Sequence, residues 1–175
     1  MEELKNQPCP VCKKNTLTLS QDEMDIPNFG KTLLFSMTCN ECGYHKADVE
    51  SIEQKDPSKY TFTVEKKDDM NVRVIKSSNA AVKIPQLRME VTPGPASEGY
   101  ISNIEGVLNR FKKIIEDERD LSEEPEVKKH AKNLLKKLWD VSLGDIQLKI
   151  IIEDPSGNSA ILSNKAIVEK LKIKN

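Results

Sequence analysis

Long hydrophobic runs are missing from this sequence of 175 residues. No apolar stretch approaches the roughly 20 residues that a transmembrane helix requires. The amino-terminal segment, residues 1–5, also lacks the apolar core that is typical of a secretory signal peptide. We therefore expect a cytoplasmic protein with no membrane partner.

Net charge and aromatic residues are scarce as well. The chain has 27 Lys+Arg against 28 Asp+Glu, a formal net charge of −1, and only eight aromatic residues. A general nucleic-acid binder carries an excess of basic residues, together with aromatic residues on which bases stack. We therefore expect no nucleic-acid partner.

Groups typical of catalysis are also few. His45 and His130 are the only histidines, and the sequence has no motif that surrounds a Ser or Cys nucleophile. His130 has lysines for neighbours, which favours a surface position. The loop at residues 92–100 lacks the Lys-Ser/Thr of a phosphate-binding loop, and its two prolines remove N–H donors. We expect that the protein is not an enzyme and has no small-molecule substrate.

All four cysteines occur in two Cys-x-x-Cys pairs, Cys9/Cys12 and Cys39/Cys42, with 26 residues between the pairs. Each pair places two sulfurs on one tight turn, and antiparallel strands between the pairs bring the turns together. The spacing therefore predicts a Zn²⁺ ion held tetrahedrally by four thiolates. Disulfides and a thioredoxin-like redox pair are the alternatives, but cytosolic thiols stay reduced and a redox motif would use only one pair. His45 is an alternative ligand that a site with four thiolates does not need.

A site closed by four thiolates leaves no position for water or substrate. We therefore expect a single structural zinc ion that stabilises the fold and takes no part in chemistry. Residues 1–59 contain 7 Lys+Arg and 10 Asp+Glu, and zinc with four thiolates adds a charge of about −2. A unit with this charge repels a phosphate backbone.

Residues 1–56 are predicted to form a zinc ribbon. Apolar and alternating patterns predict strands at residues 16–24, 32–38 and 46–52. The turn between the first two strands places Ile26 and Phe29 at the tip of a hairpin, where burial is difficult. Two interpretations stay open: these side chains pack against the ribbon or a neighbouring domain, or they contact a protein partner.

Residues 57–175 are predicted to form a second, β-rich domain after a polar linker. Short strand patterns bounded by Asp, Asn, Ser or Pro lie at residues 60–64, 72–77, 81–84, 87–91, 148–152, 159–162 and 168–173. Their spacing favours a β-sandwich or a double-stranded β-helix-like barrel. The sequence Asp-Pro-Ser-Gly at residues 154–157 suits a type I turn, and it predicts a hairpin between the strands on either side.

An αα-hairpin at about residues 102–143 is predicted to be inserted in the second domain. Ser102 and Glu105 form a capping box before a run of apolar residues at helical spacing, and a second helix begins near Pro125. The hairpin carries nine basic and nine acidic residues. Its apolar stripes form either the core or a partner-binding groove, with Trp139 as the candidate contact. The fold class is therefore α+β.

Six blocks of sequence, in order, resemble the ZPR zinc-finger family, and the resemblance covers nearly the whole chain. The blocks are Cys9-Pro10-Val11-Cys12, Ile26-Pro27-Asn28-Phe29-Gly30, Cys39-Asn40-Glu41-Cys42-Gly43-Tyr44, Glu90-Val91-Thr92-Pro93-Gly94, Ile104-Glu105-Gly106-Val107-Leu108 and Asp154-Pro155-Ser156-Gly157-Asn158-Ser159. One copy is present, which is similar to the short archaeal-type members. The resemblance implies a zinc ribbon with a β-rich companion domain, and zinc as the only cofactor. It also implies a protein that binds translation elongation factor one-alpha through its ribbon and αα-hairpin and assists the folding or release of this client.

Two functions from different classes follow from these observations. The first is a zinc-binding protein-interaction module, a binding partner or chaperone of translation elongation factor one-alpha, which acts through apolar groups such as Ile26, Phe29 and Trp139. The second is a nucleic-acid-associated zinc ribbon, acting as a transcription or ribosome accessory factor. The charge of the ribbon opposes the second.

Overall fold

The computed structural model describes residues 2–27, 29–53 and 55–172. The first four strands form one antiparallel sheet in the order β1-β2-β3-β4. They are β1 (Glu2–Gln7), β2 (Leu17–Ile26), β3 (Gly30–Cys39) and β4 (His45–Ser51). The three predicted ribbon strands are confirmed as β2 to β4. β1 was not predicted, because its residues are mostly polar and lie exposed at the edge of the sheet.

The second domain contains two further sheets. A five-stranded sheet has the order β12-β5-β10-β7-β8, and a three-stranded sheet has the order β11-β6-β9. The strands are β5 (Ser58–Val64), β6 (Arg73–Lys76), β7 (Ala81–Ile84), β8 (Met89–Val91), β9 (Tyr100–Asn103), β10 (Leu148–Asp154), β11 (Ala160–Ile161) and β12 (Ile167–Lys170). Short 3₁₀-helices lie at Lys67–Asn71 and Pro85–Leu87. Both sheets contribute to one core; Phe62 and Ile150 come from the larger sheet and Val74 and Ile161 from the smaller.

Two helices form the predicted hairpin, α1 (Ile104–Leu121) and α2 (Pro125–Leu143). The predicted capping box at Ser102 is wrong. Asn103 is the N-cap instead, and its Oδ1 accepts a hydrogen bond of 2.8 Å from the Gly106 N–H. The short Asx side chain suits this role because it satisfies an N–H that the first helical turn leaves unpaired. In the described ranges no helix combines the length and the apolar character needed to cross a membrane.

The turn at residues 154–157 forms as predicted, with a hydrogen bond of 3.3 Å from the Gly157 N–H to the Asp154 carbonyl. The hairpin expected around it is wrong. β10 pairs with β5 and β7, whereas β11 pairs with β6 in the other sheet. The turn therefore carries the chain from one sheet to the other. At the carboxyl end, the last predicted strand is β12, and Ile173, where the prediction ended, lies outside the described residues.

The tip of the ribbon packs against the second domain. Ile26 and Phe29 are 2% and 8% exposed, and they cluster with Val49 of β4 and with Ile75 and Ala160 of the second domain. The interpretation that these side chains pack against a neighbouring domain is confirmed. The alternative, that Ile26 and Phe29 form an exposed contact for a protein partner, is wrong in this structure because the second domain already covers them.

Polar contacts fix the same interface. On the ribbon side, the Lys55 ammonium lies 3.3 Å from the centre of the Phe29 ring and donates a hydrogen bond of 2.6 Å to the Phe29 carbonyl, so it holds the tip of the ribbon in place. The Ser78 N–H donates to the Asp48 carboxylate at 2.8 Å, and the Ser51 N–H donates to Asn158 Oδ1 at 3.1 Å. The ribbon is thus joined to the second domain by both apolar burial and hydrogen bonds.

Gly99 allows a close approach between β4 and the second domain. Its N–H donates a hydrogen bond of 3.0 Å to the Ala47 carbonyl, and a Cβ at this position would lie 2.7 Å from the backbone nitrogen of Val49. We expect Gly99→Ala to lower the free energy of unfolding by about 1–3 kcal/mol, because the added methyl group has no space. Gly94→Ala in the same loop is the matched control, since nothing lies within 4 Å of a Cβ there. Thermal or denaturant unfolding of both variants measures the difference, and equal stability of the two would contradict this account of the interface.

Candidate metal centre

Two tight turns present the cysteine sulfurs. In the first turn the Lys13 N–H donates to the Cys9 carbonyl at 2.9 Å, and in the second the Gly43 N–H donates to the Cys39 carbonyl at 3.1 Å. Lys13 and Gly43 both have positive φ angles, 62° and 71°. The two turns therefore have the same local form, although only one of them has the glycine that this conformation favours.

The four sulfurs converge at one end of the ribbon. All four Sγ atoms of Cys9, Cys12, Cys39 and Cys42 lie within 4.8 Å of one another. The distances between Cys9 and Cys42 and between Cys12 and Cys39 are both 3.7 Å. Tetrahedral Zn²⁺ with Zn–S bonds of about 2.3 Å requires sulfur–sulfur distances of about 3.8 Å. The donor set therefore fits Zn²⁺, and the cysteines are free thiols and not disulfides, whose sulfurs lie about 2.05 Å apart.

Burial and hydrogen bonds differ among the four thiols. Cys9 and Cys39 are each 1% exposed and pack with Leu17, whereas Cys42 is exposed. Thr16 Oγ1 lies 3.2 Å from Cys39 Sγ, and this contact, followed by the backbone N–H of Cys42, lowers the pKa of Cys39 to about 6. The pKa of Cys42 rises to about 11: the backbone of Tyr44 lowers it, but desolvation and the other three thiols together raise it more.

Two residues near the cysteines have roles that the sequence pattern did not indicate. Thr16 is the hydrogen-bond partner of Cys39, and an ion pair between Lys14 and Glu41 links the two turns. His45, the alternative ligand, instead forms a hydrogen bond of 3.0 Å between its Nδ1 and Thr38 Oγ1. It is not among the residues of the sulfur cluster.

Trp139 lies on α2, apart from the sulfur cluster, and 64% of its surface is exposed. It borders a recess of about 210 Å³ between the two helices, with Met70, Leu108, Leu135 and Leu138 as its apolar lining and Glu105, Asn109, Lys112 and Ser142 as its polar lining. The structure thus places this predicted contact residue at the surface, in contrast to Ile26 and Phe29. His130 is exposed on the same helix, as predicted.

The charges of the hairpin are balanced in number but separated in space. Residues 128–137 contain five lysines and no acidic residue, and all five lysines are exposed: Lys128, Lys129, Lys132, Lys136 and Lys137. Residues 116–126, at the end of the hairpin, contain seven acidic residues and one arginine. The count of charged residues in the sequence did not reveal this separation, because it was summed over both helices.

The sulfur cluster and the sheets define a class of protein: a zinc ribbon with four cysteine ligands, followed by a β-rich jelly-roll domain that carries two helices. Family comparison agrees in both parts, since residues 1–56 match the ZPR1 zinc-finger domain and residues 68–175 match the ZPR1 jelly-roll domain. The chain belongs to the ZPR1 zinc-finger family and contains a single copy of the domain pair.

Individual relatives come from archaea and eukaryotes. The chain is 38% identical to a ZPR1-like protein of Methanocaldococcus jannaschii, over 98% of this chain and 91% of the relative. It is 36% identical to a ZPR1-like protein of Pyrococcus horikoshii, over 98% of this chain and 78% of the relative. It is 32% identical to the zinc finger chaperone zpr1 of Schizosaccharomyces pombe, over 87% of this chain but only 33% of the relative.

Loss of the metal should disorder one end of the ribbon more than the other. We expect the variant Cys39→Ser, Cys42→Ser to hold only a small fraction of the zinc of the unaltered protein, and we expect faster amide exchange near the cysteines and in β1. Amides near Ile26 and Phe29 should stay protected, because the second domain holds that end. Elemental analysis and hydrogen-exchange mass spectrometry measure both effects.

Thr38→Ala is the control, since Thr38 bonds only to His45 among the side chains near this site. It should keep the zinc content and exchange pattern of the unaltered protein. Full zinc content in the double cysteine variant would show that these sulfurs are not the ligands.

Proposed function

We propose that this chain is a zinc-dependent protein-interaction module, and specifically a binding partner or chaperone of translation elongation factor one-alpha. The observation that carries the proposal is the exposed Trp139 beside an apolar recess, on a helix face rich in lysine. Tryptophan is enriched among the residues that contribute most to binding at protein interfaces. The name of the Schizosaccharomyces pombe relative, a zinc finger chaperone, also supports a role in protein interaction.

The proposed contact surface is the outer face of α2. Lys132, Lys136 and Trp139 follow the spacing i, i+4, i+7, which places them on one side of a helix. All three are exposed, as is Leu143 one turn further on. In this proposal Trp139 is the apolar anchor, and the lysines attract an acidic surface of the partner and increase the rate of association. Ile26 and Phe29 have no part in it.

The zinc ion has a structural role in this proposal. One Zn²⁺ is held by Cys9, Cys12, Cys39 and Cys42 and takes no part in chemistry. Structural zinc in small fingers has an apparent binding free energy of about 10–16 kcal/mol, which is enough to fold the cysteine end of the ribbon. The protein in this view is cytoplasmic, has no catalytic activity, and binds neither a small-molecule substrate nor a membrane.

Binding of purified elongation factor one-alpha tests the proposal. Calorimetry with the zinc-loaded protein should give a saturable complex, and Trp139→Ala should weaken it by about 2 kcal/mol or more, the range of interface hot spots. Lys132→Glu combined with Lys136→Glu should lower the association rate and change its salt dependence.

Two controls separate this surface from general effects. Leu121→Ala removes another exposed apolar side chain, at the end of α1, and Lys149→Glu reverses an exposed charge on β10. Both variants should bind like the unaltered protein. Failure of the unaltered protein to bind the folded or refolding elongation factor would reject this partner.

The alternative function is a nucleic-acid-associated zinc ribbon, acting as a transcription or ribosome accessory factor. One observation favours it, the five exposed lysines on α2 with no acidic residue among them. If it is correct, duplex or single-stranded nucleic acid should bind with an affinity that falls steeply as salt rises, because each phosphate contact releases counterions. We expect only weak binding, since the acidic end of the hairpin lies beside these lysines. Tight binding with a steep salt dependence, measured by fluorescence anisotropy, would favour the alternative.

A further inference from the structure

A second apolar groove lies on the other side of α1, between this helix and the free edge of the five-stranded sheet. β8 is the edge strand, with β7 as its sheet neighbour. The groove has a volume of about 240 Å³. Val82 and Phe111 form its buried floor, and Val91 of β8 and Ile114 of α1 form its two rims.

Both rims leave apolar surface exposed. Val91 is 36% exposed and Ile114 is 46% exposed, and they border the same groove. An edge strand also presents N–H and C=O groups that no neighbouring strand uses. The edge of β8, residues 89–91, therefore offers backbone hydrogen bonds beside the groove, and Val91 and Ile114 offer apolar contacts at its two rims.

One end of the groove contains charged residues of both signs: Arg110, Lys76 and, on the loop after β8, Glu98. The Arg110 guanidinium lies 4.0 Å from the centre of the Tyr100 ring, and within the described ranges no carboxylate forms an ion pair with it. Lys76 is nearby, but its ammonium already donates to the Ser77 carbonyl, Ser97 Oγ and the Glu98 carbonyl, at 3.0, 3.3 and 3.2 Å. Lys76 thus holds the loop that closes this end of the groove, and Arg110 is the cation available to a ligand.

These features match the recognition of an extended peptide more closely than that of a small molecule. Pockets for small molecules usually have volumes of about 300–1,000 Å³, which is larger than this groove. A peptide that adds to a sheet edge gains backbone hydrogen bonds, and its alternate side chains enter pockets that give specificity. An arginine at the end of such a groove selects a carboxylate, because its planar guanidinium can form two parallel hydrogen bonds with it.

We propose that the groove between β8 and α1 binds an extended acidic segment of a partner protein. The segment adds as an outer strand beside β8, places an apolar side chain between Val91 and Ile114, and pairs a carboxylate with Arg110. This site is separate from the Trp139 surface on α2, and it does not depend on elongation factor one-alpha as the partner.

A displayed library of random heptapeptides, selected on the zinc-loaded protein, tests the proposal. Enriched peptides should contain a carboxylate and apolar residues at alternate positions. Arg110→Glu should weaken the binding of these peptides, measured by fluorescence polarisation, roughly tenfold or more. Ile114→Ser should weaken it as well. Bound peptide should slow amide exchange in residues 89–91, as an added strand requires.

The controls lie on the same helix. Lys112→Glu makes the same reversal of charge two residues away, beside the Trp139 recess, and Leu121→Ser removes an exposed apolar side chain at the end of α1. Both should bind the peptides like the unaltered protein, and thermal melts should show that all four variants are folded. The proposal is overturned if no peptide is enriched, if Arg110→Glu and Lys112→Glu bind alike, or if bound peptide leaves the exchange of β8 unchanged.

Discussion

The packing of the ribbon tip against the second domain is the contact on which the arrangement of this protein depends. Ile26 and Phe29 are buried there with Val49, Ile75 and Ala160, and burial of a large apolar side chain contributes about 1.5–3 kcal/mol. β2 and β3 are ten residues long, so the metal centre lies about 30 Å from this contact, at about 3.3 Å per residue. The four-cysteine site therefore lies at one end of the ribbon, and the second domain packs against the other.

Patterns of neighbouring residues in the sequence were enough to predict the local features of the structure. The spacing of the cysteines indicated the metal centre, and apolar periodicity indicated the ribbon strands and both helices. These patterns could not predict contacts between residues that lie far apart in the sequence. Ile26 and Phe29 are exposed in an isolated hairpin, and only the second domain, about 50 residues or more further along the chain at Ile75 and Ala160, buries them. Thr16 beside Cys39 gave no signal either, because a threonine before a strand is common.

The charge of the hairpin is a second feature that a count over the sequence did not reveal. The hairpin has equal numbers of basic and acidic residues, which indicates a surface of mixed charge if the order of the residues is ignored. The helices separate them: lysines cover the outer face of α2 and acidic residues surround its beginning. A partner that approaches α2 therefore meets the lysines of residues 128–137 before it reaches Trp139, where Asp140 follows on the helix and Glu105 lines the recess. A surface with equal numbers of basic and acidic residues can still attract and select a charged partner. Charges act on a partner over distances comparable with the Debye length of about 8–10 Å, so their local arrangement matters more than their sum.

The block at residues 154–159 shows how a family motif can be structural. The Asp154 carboxylate is fully buried, and it accepts hydrogen bonds from the hydroxyls of Ser77, Ser156 and Ser159 at 2.8, 2.6 and 2.5 Å. A buried carboxyl group is tolerated in such a place only if its oxygens form hydrogen bonds. Four residues later along the same block, Asn158 holds the ribbon through the Ser51 N–H. The block thus joins both sheets of the second domain to the ribbon. The side-chain oxygens of Asp154, Ser156, Ser159 and Asn158 are thus engaged in hydrogen bonds within the protein, so this block acts on the fold by holding three sheets together.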